Sequence, residues 1–262
     1  MTGNRVFELL CMPILIGMFF SLWGCQGLPS DKLTIAASAN MQYAMEELIG
    51  QFNEESGIPC ELIVGSSGKL TAQILEGAPF DLFFSADMKY PQEIHNKSLA
   101  LNPPRVYAYG YLVFWSLDEK IELTEEGLLS EAVTHIAMAN PQTAPYGRAA
   151  QELLKGMGIY ERVEDKLVFG ESIAQTNQFI LSGTAEVGLT ARSVVSAPEA
   201  KGKGQWVSTD QELYRPIAQG LVRLKNRDPE KREWARAFDD FLGSEKAMDI
   251  LHKFGYDTEM SE

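Results

Sequence analysis

Two kinds of hydrophobic segment alternate along this chain from residue 32 onward. Residues 32–38 form an apolar run with the length of a buried strand, and residues 60–64 repeat that pattern. Residues 41–52 instead place apolar side chains at helical spacing, at Met45, Leu48, Ile49 and Phe52. A second helix follows the second strand from Leu70. Because strands that alternate with helices usually pair in parallel, this order predicts an α/β fold with a parallel sheet.

The second half of the chain repeats this order without repeating the sequence. Further strands are predicted at residues 80–85, 135–139, 168–170, 186–190 and 219–224, and helices at residues 91–96, 148–157, 174–182, 234–242 and 247–254. The polar stretch 122–133 is also predicted to be helical. Residues 106–116 are rich in Tyr, Val, Phe and Trp, which indicates long β-structure that could cross between two lobes.

Length and charge narrow the class of protein. The chain has 262 residues, of which 45% are apolar, enough for one large domain or two of ordinary size. Its formal net charge is -13, which argues against nucleic acid and anionic membrane surfaces as partners of its body. A bound anion would therefore have to be held by local dipoles rather than by the overall field.

The first 24 residues have the pattern of an export signal. Arg5 precedes an apolar run from Leu9 to Trp23, which is short for a membrane span. The run ends in Leu22-Trp23-Gly24-Cys25, which resembles a bacterial lipobox, where cleavage before the cysteine leaves it acylated. We therefore predict a signal peptide over residues 1–24, a lipidated Cys25 and a tether over residues 25–31. This predicts an exported protein, periplasmic or at the cell surface, that a lipid anchors to the membrane.

The three cysteines provide no pair in the mature chain. Cys11 lies in the segment to be removed and Cys25 is the acylation site, which leaves Cys60 alone in an apolar strand. The sequence therefore predicts no disulfide and, without a CxxC pair, no metal site.

Residues 64–74 join a strand directly to a helix through small residues. The free N–H groups at a helix start and the positive end of its dipole can hold an anion, and the hydroxyl of Ser66 or Ser67 can donate as well. Ala39-Asn40 is a second junction of this kind. Because ligands of parallel sheets gather beyond the carboxyl ends of the strands, both junctions should face the same crevice. In the second half of the chain, strand ends feed helix starts at Tyr146 and Ile173.

Two catalytic motifs resemble this glycine-serine segment but do not fit it. A P-loop needs four residues between its glycines and Ser or Thr after the lysine, whereas here Gly65 and Gly68 are too close and Leu70 follows Lys69. A serine-hydrolase elbow needs Gly-x-Ser-x-Gly, which is one residue longer. An enzyme with Ser66 or Ser67 as nucleophile and Lys69 as base remains the alternative to a binding protein that is not an enzyme.

Five segments together resemble the periplasmic molybdate-binding proteins of ABC importers. They are residues 36–40, 65–68, 77–87, 140–147 and 185–188, and the most specific is Gly77-Ala78-Pro79-Phe80-Asp81-Leu82-Phe83-Phe84-Ser85-Ala86-Asp87. The likeness runs from about Lys32 to Tyr256. It implies a two-lobed type II periplasmic-binding-protein fold, each lobe a mainly parallel sheet flanked by helices, with the ligand in the interlobe cleft. Lobe I would comprise residues 32–107 plus 218–262, and lobe II residues 108–217.

The resemblance also implies the function and the site. A monomer would capture molybdate or tungstate and deliver it to the permease subunits of an ABC transporter, with no cofactor. The donors carried over from the family are uncharged: the Ala39 backbone, Asn40, Ser67, the Tyr146 backbone and the Ile173 backbone. Molybdenum would thus be bound only as molybdate. A receptor for sulfate or another small anion is the alternative.

One position departs from the family pattern. Some members place a tyrosine hydroxyl on the anion just after the strand that corresponds to residues 186–190, whereas Ala191 has no donor in its side chain. Because the Asn40 amide has two N–H donors, we expect it to take over part of the lost coordination. The simpler interpretation is that Asn40 only caps the helix that follows it.

Overall fold

The computed structural model describes residues 31–226 and 228–259, so the predicted signal peptide, Cys25 and nearly all of the tether lie outside the described residues. The strands are β1 Leu33–Ser38, β2 Cys60–Gly65, β3 Leu82–Ser85, β4 Arg105–Gly110, β5 Leu112–Ser116, β6 Ile136–Ala139, β7 Leu167–Gly170, β8 Val187–Ala191, β9 Gln205–Ser208 and β10 Ile217–Arg223. The helices are α1 Gln42–Ser56, α2 Ser67–Leu75, α3 Lys89–Asn96, α4 Glu125–Leu129, α5 Pro145–Gly156, α6 Tyr160–Val163, α7 Ile173–Leu181, α8 Arg192–Val195, α9 Pro229–Phe241 and α10 Glu245–Lys253. A 3-10 turn, Ala39–Met41, joins β1 to α1.

The strands form two five-stranded sheets of mixed direction. The first has the order β2-β1-β3-β10-β4, and the second has the order β7-β6-β8-β5-β9. In each sheet four strands run in one direction and one strand runs against them: β10 pairs antiparallel with β3 and β4, and β5 pairs antiparallel with β8 and β9. We refer to the first sheet with its helices as the first half and to the second sheet with its helices as the second half. The α/β fold predicted from the sequence is confirmed.

The chain passes between the two sheets at Tyr111. The long β-structure predicted at residues 106–116 consists of β4 in the first sheet and β5 in the second, which follow each other directly. The chain returns between β9, which ends at Ser208, and β10, which begins at Ile217. Two short connections therefore link the halves at neighbouring places.

The first sheet is covered on both faces, which explains its continuous apolar runs. Along β1, Ile35 and Ala37 pack in a cluster with the aromatic residues of α1 and α9, while Ala36 belongs to a cluster with Leu70 of α2 and Ile94 of α3. Burial on both faces removes the alternation that a half-exposed strand would show. Among the described residues, no helix is long and apolar enough to cross a membrane.

The helix predicted over residues 122–133 is shorter in the structure, since residues 122–124 and 130–133 are not helical. The helix α4 begins at Glu125, where the Thr124 hydroxyl accepts the N–H of Gly127 at 3.2 Å. It ends at Leu129 because its last carbonyls find other donors: Lys166 Nζ donates to the carbonyl of Leu128 at 3.1 Å. A long-range contact of this kind leaves no mark in the local sequence.

Strand β9 was not predicted. It is an edge strand in which Trp206 and Val207 are exposed, so its residues carry no pattern of one buried and one polar face. The strand forms by pairing with β5, whose residues lie about ninety positions earlier in the chain, so the local sequence does not predict it.

Candidate anion-binding site

A small cavity lies where the two halves face each other. It spans about 190 Å³, part of which is open to solvent, and is lined by Ser38, Ala39, Asn40, Ser66, Ser67, Ala86, Ala144, Pro145, Tyr146 and Ile173. All five site residues predicted from the sequence are therefore brought together around one space, three from the first half and two from the second. No charged side chain belongs to this lining among the described residues.

In the first half the cavity is bounded by two strand-to-helix junctions. The strand β1 continues into the 3-10 turn that contains Asn40, and β2 continues into α2, which begins at Ser67. Ser66 is the N-cap of α2, and its hydroxyl accepts the N–H of Lys69 at 3.3 Å. Ser67 is fully buried, and its hydroxyl accepts the N–H of Ala86 at 3.0 Å. A hydroxyl that accepts one bond keeps its own proton to donate, so Ser67 can offer an O–H in addition to its backbone N–H.

In the second half two helices begin at the cavity without a side-chain cap. Helix α5 has Pro145 at its first position, and because proline has no N–H, Tyr146 carries the first amide donor of this helix. Helix α7 begins at Ile173 after Ser172, whose side chain makes no capping hydrogen bond. The first N–H groups of a helix have no partner within it, so these two starts offer donors to whatever occupies the cavity.

The Asn40 side chain is engaged with the protein. Its amide donates to the side-chain oxygen of Gln219 and to the Tyr256 hydroxyl, both at 2.9 Å, while its side-chain oxygen accepts the Ser38 hydroxyl at 2.7 Å. This corrects the expectation that the Asn40 amide compensates for Ala191, because neither amide proton is free to reach an anion. It is not a side-chain helix cap either, since its side chain bonds to none of the N–H groups that open α1.

Three buried residues that sequence reasoning missed hold this junction. Gln219 and Tyr256 accept from the Asn40 amide, and the Asn40 carbonyl accepts both the Tyr256 hydroxyl at 2.9 Å and the Ser193 hydroxyl at 2.7 Å. Burial raises the pKa of Tyr256, so its hydroxyl stays protonated and can donate. A glutamine inside the apolar segment around β10 could have indicated a buried polar contact from the sequence, whereas no local pattern distinguishes Ser193.

Several contacts join the halves around the rim of the cavity. The N–H of Gly68 in α2 donates to the carbonyl of Thr143 at 2.9 Å, and the Tyr90 hydroxyl donates to the same carbonyl at 3.3 Å. Two ion pairs also cross, between Asp87 and Arg148 and between Lys69 and Glu171, the latter at 2.7 Å. These charged groups pair with one another outside the lining, which leaves the cavity itself neutral.

The same contacts bear on the catalytic alternative. The ammonium of Lys69 is paired with Glu171, and both side chains are about half exposed at the rim. Ser66 is occupied as a helix cap, and Ser67 accepts from a backbone amide. The described residues thus show no hydrogen bond that joins either serine to a side-chain base, which activation of a nucleophile requires.

The two aspartates of the most specific segment have separate roles. Asp81 is buried, accepts the Thr34 N–H at 2.8 Å, and pairs with Lys231 at 3.4 Å, which ties the segment to β1 and α9. Asp87 accepts the N–H of Tyr90 at 3.3 Å and also forms the ion pair with Arg148. Neither carboxylate adds charge to the space between the helix starts.

Two α/β halves that are joined by neighbouring connections, with a small cavity between their helix starts, define a solute-binding protein of the periplasmic-binding-protein fold. Comparison with known proteins agrees with this class. The model of the bacterial extracellular solute-binding proteins matches residues 33–257, and the chain belongs to that family.

Relatives and solved structures narrow the similarity further. The chain is 38% identical over 231 residues to the molybdate-binding protein ModA of Rhodobacter capsulatus, covering 88% of this chain and 90% of that one. It is 34% identical to the molybdate-binding protein ModA of Azotobacter vinelandii, covering 86% and 89% of the two chains. The structure of the periplasmic molybdate-binding protein of Azotobacter vinelandii superposes with a TM-score of 0.82 at 32% identity, over 87% of this chain and 100% of that one. The resemblance found in the sequence is confirmed.

Proposed function

We propose that this protein captures molybdate or tungstate outside the cytoplasm and delivers the anion to the permease of an ABC transporter. The observation that supports it best is the neutral cavity, where the five donor residues named from the sequence meet between four helix starts. The similarity to molybdate-binding proteins over most of the chain supports the identity of the anion. In this proposal the anion is cargo, and neither a resident cofactor nor a catalytic step is involved.

The donors would be backbone N–H groups together with one hydroxyl. We assign them to the N–H groups of Ala39 and Asn40, the N–H and hydroxyl of Ser67, and the N–H groups of Tyr146 and Ile173. An unpaired buried charge is very costly, so a dianion that loses its water needs several well-aimed donors. Uncharged donors supply them without the deep electrostatic trap of a buried cation, which favours release to the transporter.

The lining also favours a fully deprotonated oxyanion. Phosphate near neutral pH keeps a proton and is best held where a carboxylate can accept it. The carboxylate nearest in sequence, that of Glu171, is paired with Lys69 at the rim and does not line the cavity. Molybdate, tungstate and sulfate carry no such proton, so the size of the donor ring would decide among them.

We further propose that the two halves work as two lobes of a monomer. The lobe limits expected from the sequence, at 107/108 and 217/218, shift because residues 108–110 and Ile217 pair within the first sheet. The pairing of β4 extends to Gly110 and that of β10 begins at Ile217, which supports a hinge at Tyr111 and in the segment 209–216. A ligand that contacts both halves stabilises the closed arrangement over any open one, which is how such receptors couple binding to closure.

Titration calorimetry with three oxyanions tests the proposed function. We expect molybdate and tungstate to bind about equally and sulfate at least about tenfold more weakly, because each donor left unpaired by a smaller anion costs on the order of 1–3 kcal/mol. Sulfate binding as tight as molybdate binding would contradict the assignment.

A serine-directed phosphonate should leave the protein unmodified, and its incorporation would favour the hydrolase alternative.

A separate experiment tests the proposed anchor. If the chain is processed at Gly24-Cys25 and acylated, Cys25→Ser should release the protein from the membrane fraction or leave it unprocessed, because serine cannot carry the lipid. Stable attachment needs more than one acyl chain, and lipoproteins carry several. Fractionation followed by mass measurement of the N-terminal peptide gives the result. Cys60→Ser is the matched control, since Cys60 is a lone, half-buried cysteine of β2 and its loss should not change fractionation. Membrane association and processing unchanged in Cys25→Ser would rule out the anchor.

A further inference from the structure

A buried glutamine lies in β10, the strand that follows the second connection between the two halves. Gln219 of β10 has no exposed surface. The pairing of β10 with β4 shifts register between Gln219 and Gly220, which is a β-bulge. Bulges redirect side chains and are frequent beside functional sites. Gln219 itself does not belong to the lining of the cavity, so it touches no ligand there.

The Gln219 amide lies against two of the residues that carry site donors. Its oxygen accepts the Asn40 amide at 2.9 Å, and its nitrogen donates to the Ile217 carbonyl at 3.2 Å. It also packs near the buried Tyr146 hydroxyl, which has no hydrogen-bond partner among the described residues and whose pKa burial raises well above its ordinary range. Asn40 belongs to the first half and Tyr146 to the second, so one side chain contacts a donor position from each.

The space around this amide is tight. A Cβ at Gly110 would lie 2.1 Å from the Tyr146 hydroxyl and 2.9 Å from the Gln219 nitrogen, so the end of β4 has to be glycine for the tyrosine to fit. The Asn40 carbonyl is held from the other side by the hydroxyls of Tyr256 and Ser193. The turn that presents the Asn40 N–H therefore has little freedom to move once Gln219 is in place.

We propose that Gln219 is a positioning residue that fixes the separation between the Asn40 and Tyr146 donors and so retains the anion in the closed protein. This inference rests on the proposed function, because it assumes that both backbone N–H groups contact the oxyanion. Gln219 acts through its hydrogen bond to Asn40 and its packing near the Tyr146 side chain. Its effect should appear in the dissociation of the anion rather than in its capture.

The test is stopped-flow kinetics of molybdate binding to the purified protein, monitored by intrinsic tryptophan fluorescence. Gln219→Met keeps the length of the side chain but removes the acceptor for Asn40, and we expect molybdate to dissociate about tenfold faster while association changes by less than about twofold. Ser116→Ala is the matched control, because the Ser116 hydroxyl is also buried and donates to the Glu186 carbonyl at 2.7 Å, but wholly within the second half. It should lower the melting temperature and leave dissociation unchanged.

A double-mutant cycle separates positioning from general loss of stability. Asn40→Ala and Gln219→Met should each speed dissociation. The double variant should dissociate more slowly than the product of the two single effects predicts, because both changes break the same hydrogen bond. If Gln219→Met does not fold, Gln219→Asn replaces it, since the shorter amide keeps polarity but cannot reach Asn40.

Each outcome is informative. Wild-type dissociation in the folded Gln219 variant, or strictly additive effects in the cycle, would overturn the positioning role while leaving the proposed function intact. Failure of the wild-type protein to bind molybdate would overturn the proposed function and this inference with it. Faster dissociation with coupled effects supports both.

Discussion

Gly68→Ala should abolish most of the affinity for molybdate while leaving the ligand-free protein at least as stable as the wild type. A Cβ at Gly68 would lie 2.8 Å from the Thr143 carbonyl oxygen and 2.8 Å from the Tyr90 hydroxyl, both at the contact between the halves. Closure would then require the backbone around Thr143 to move, and overpacking of this kind costs about 1–3 kcal/mol, or roughly 5- to 150-fold in affinity. With the halves apart the methyl group no longer meets Thr143, and only the Tyr90 hydroxyl, the far end of a side chain in the same half, has to shift. Alanine also favours the helix by up to about 1 kcal/mol.

Melting curves and molybdate titrations on the same preparations measure the two effects. We expect the melting temperature without ligand to stay level or rise by a few degrees, roughly 2–4 °C for each kcal/mol in a protein of this size. Gly50→Ala is the matched control, because Gly50 lies in α1 with nothing within 4 Å of the added methyl group. It should gain similar stability and keep its affinity. Wild-type affinity in Gly68→Ala would show that this approach of the two halves is not needed for binding.

Asn40→Asp should damage both folding and binding. The side chain is 2% exposed, and the substitution removes both N–H donors from Gln219 and Tyr256 while placing a carboxylate against the glutamine oxygen. An uncompensated charge in a buried network costs about 3–5 kcal/mol, which corresponds to a loss of about 10 °C in melting temperature. The same charge lies next to the proposed anion position, so molybdate affinity should fall at least about 100-fold.

The pH dependence of stability identifies the cause of this damage. Burial raises the pKa of the new carboxyl in the folded state above its value in the unfolded chain, so the deficit is largest near neutral pH and shrinks as the pH falls toward that of an ordinary carboxyl, at about 4. Melting curves between neutral and mildly acid pH, each compared with the wild type, show this trend. Asn102→Asp is the control, because its side-chain oxygen already accepts from Arg223 at 3.3 Å in a partly exposed loop. A folded Asn40→Asp protein with near-native affinity would remove Asn40 from the site.

Local patterns in the sequence were sufficient to predict the helix starts. The change from strand to helix spacing after residue 64 places Ser67 at the beginning of α2, and the small polar residues after β1 mark the junction at Asn40. The donors at Tyr146 and Ile173 were assigned by resemblance, and the structure places both at helix starts on the same cavity. Backbone donors at such positions are predictable because the end of a strand and the start of a helix determine where their N–H groups lie.

Contacts between distant parts of the chain could not be predicted in this way. Asn40 bonds to Gln219, which is 179 residues away, and its carbonyl accepts from Ser193, 153 residues away. Asn40 lines the cavity, as the sequence led us to expect, but its side-chain amide contacts the protein interior. Which group of a residue faces a cavity depends on partners that only the folded chain brings together. The missing donor at Ala191 was therefore not enough to predict which way the Asn40 amide points.

The proposed donors at Ala39, Tyr146 and Ile173 are main-chain amides, and this has a consequence for how the site can evolve. Almost any side chain can replace these residues without removing the donor, since only proline lacks an N–H. Anion recognition thus depends on the conformation of the backbone, and the residues that contribute these N–H groups can be substituted extensively. Selection would act more strongly on the small residues that let the backbone approach, such as Gly68 and Gly110, than on the residues nearest the anion. Searches that look for invariant ligand side chains would overlook receptors built in this way.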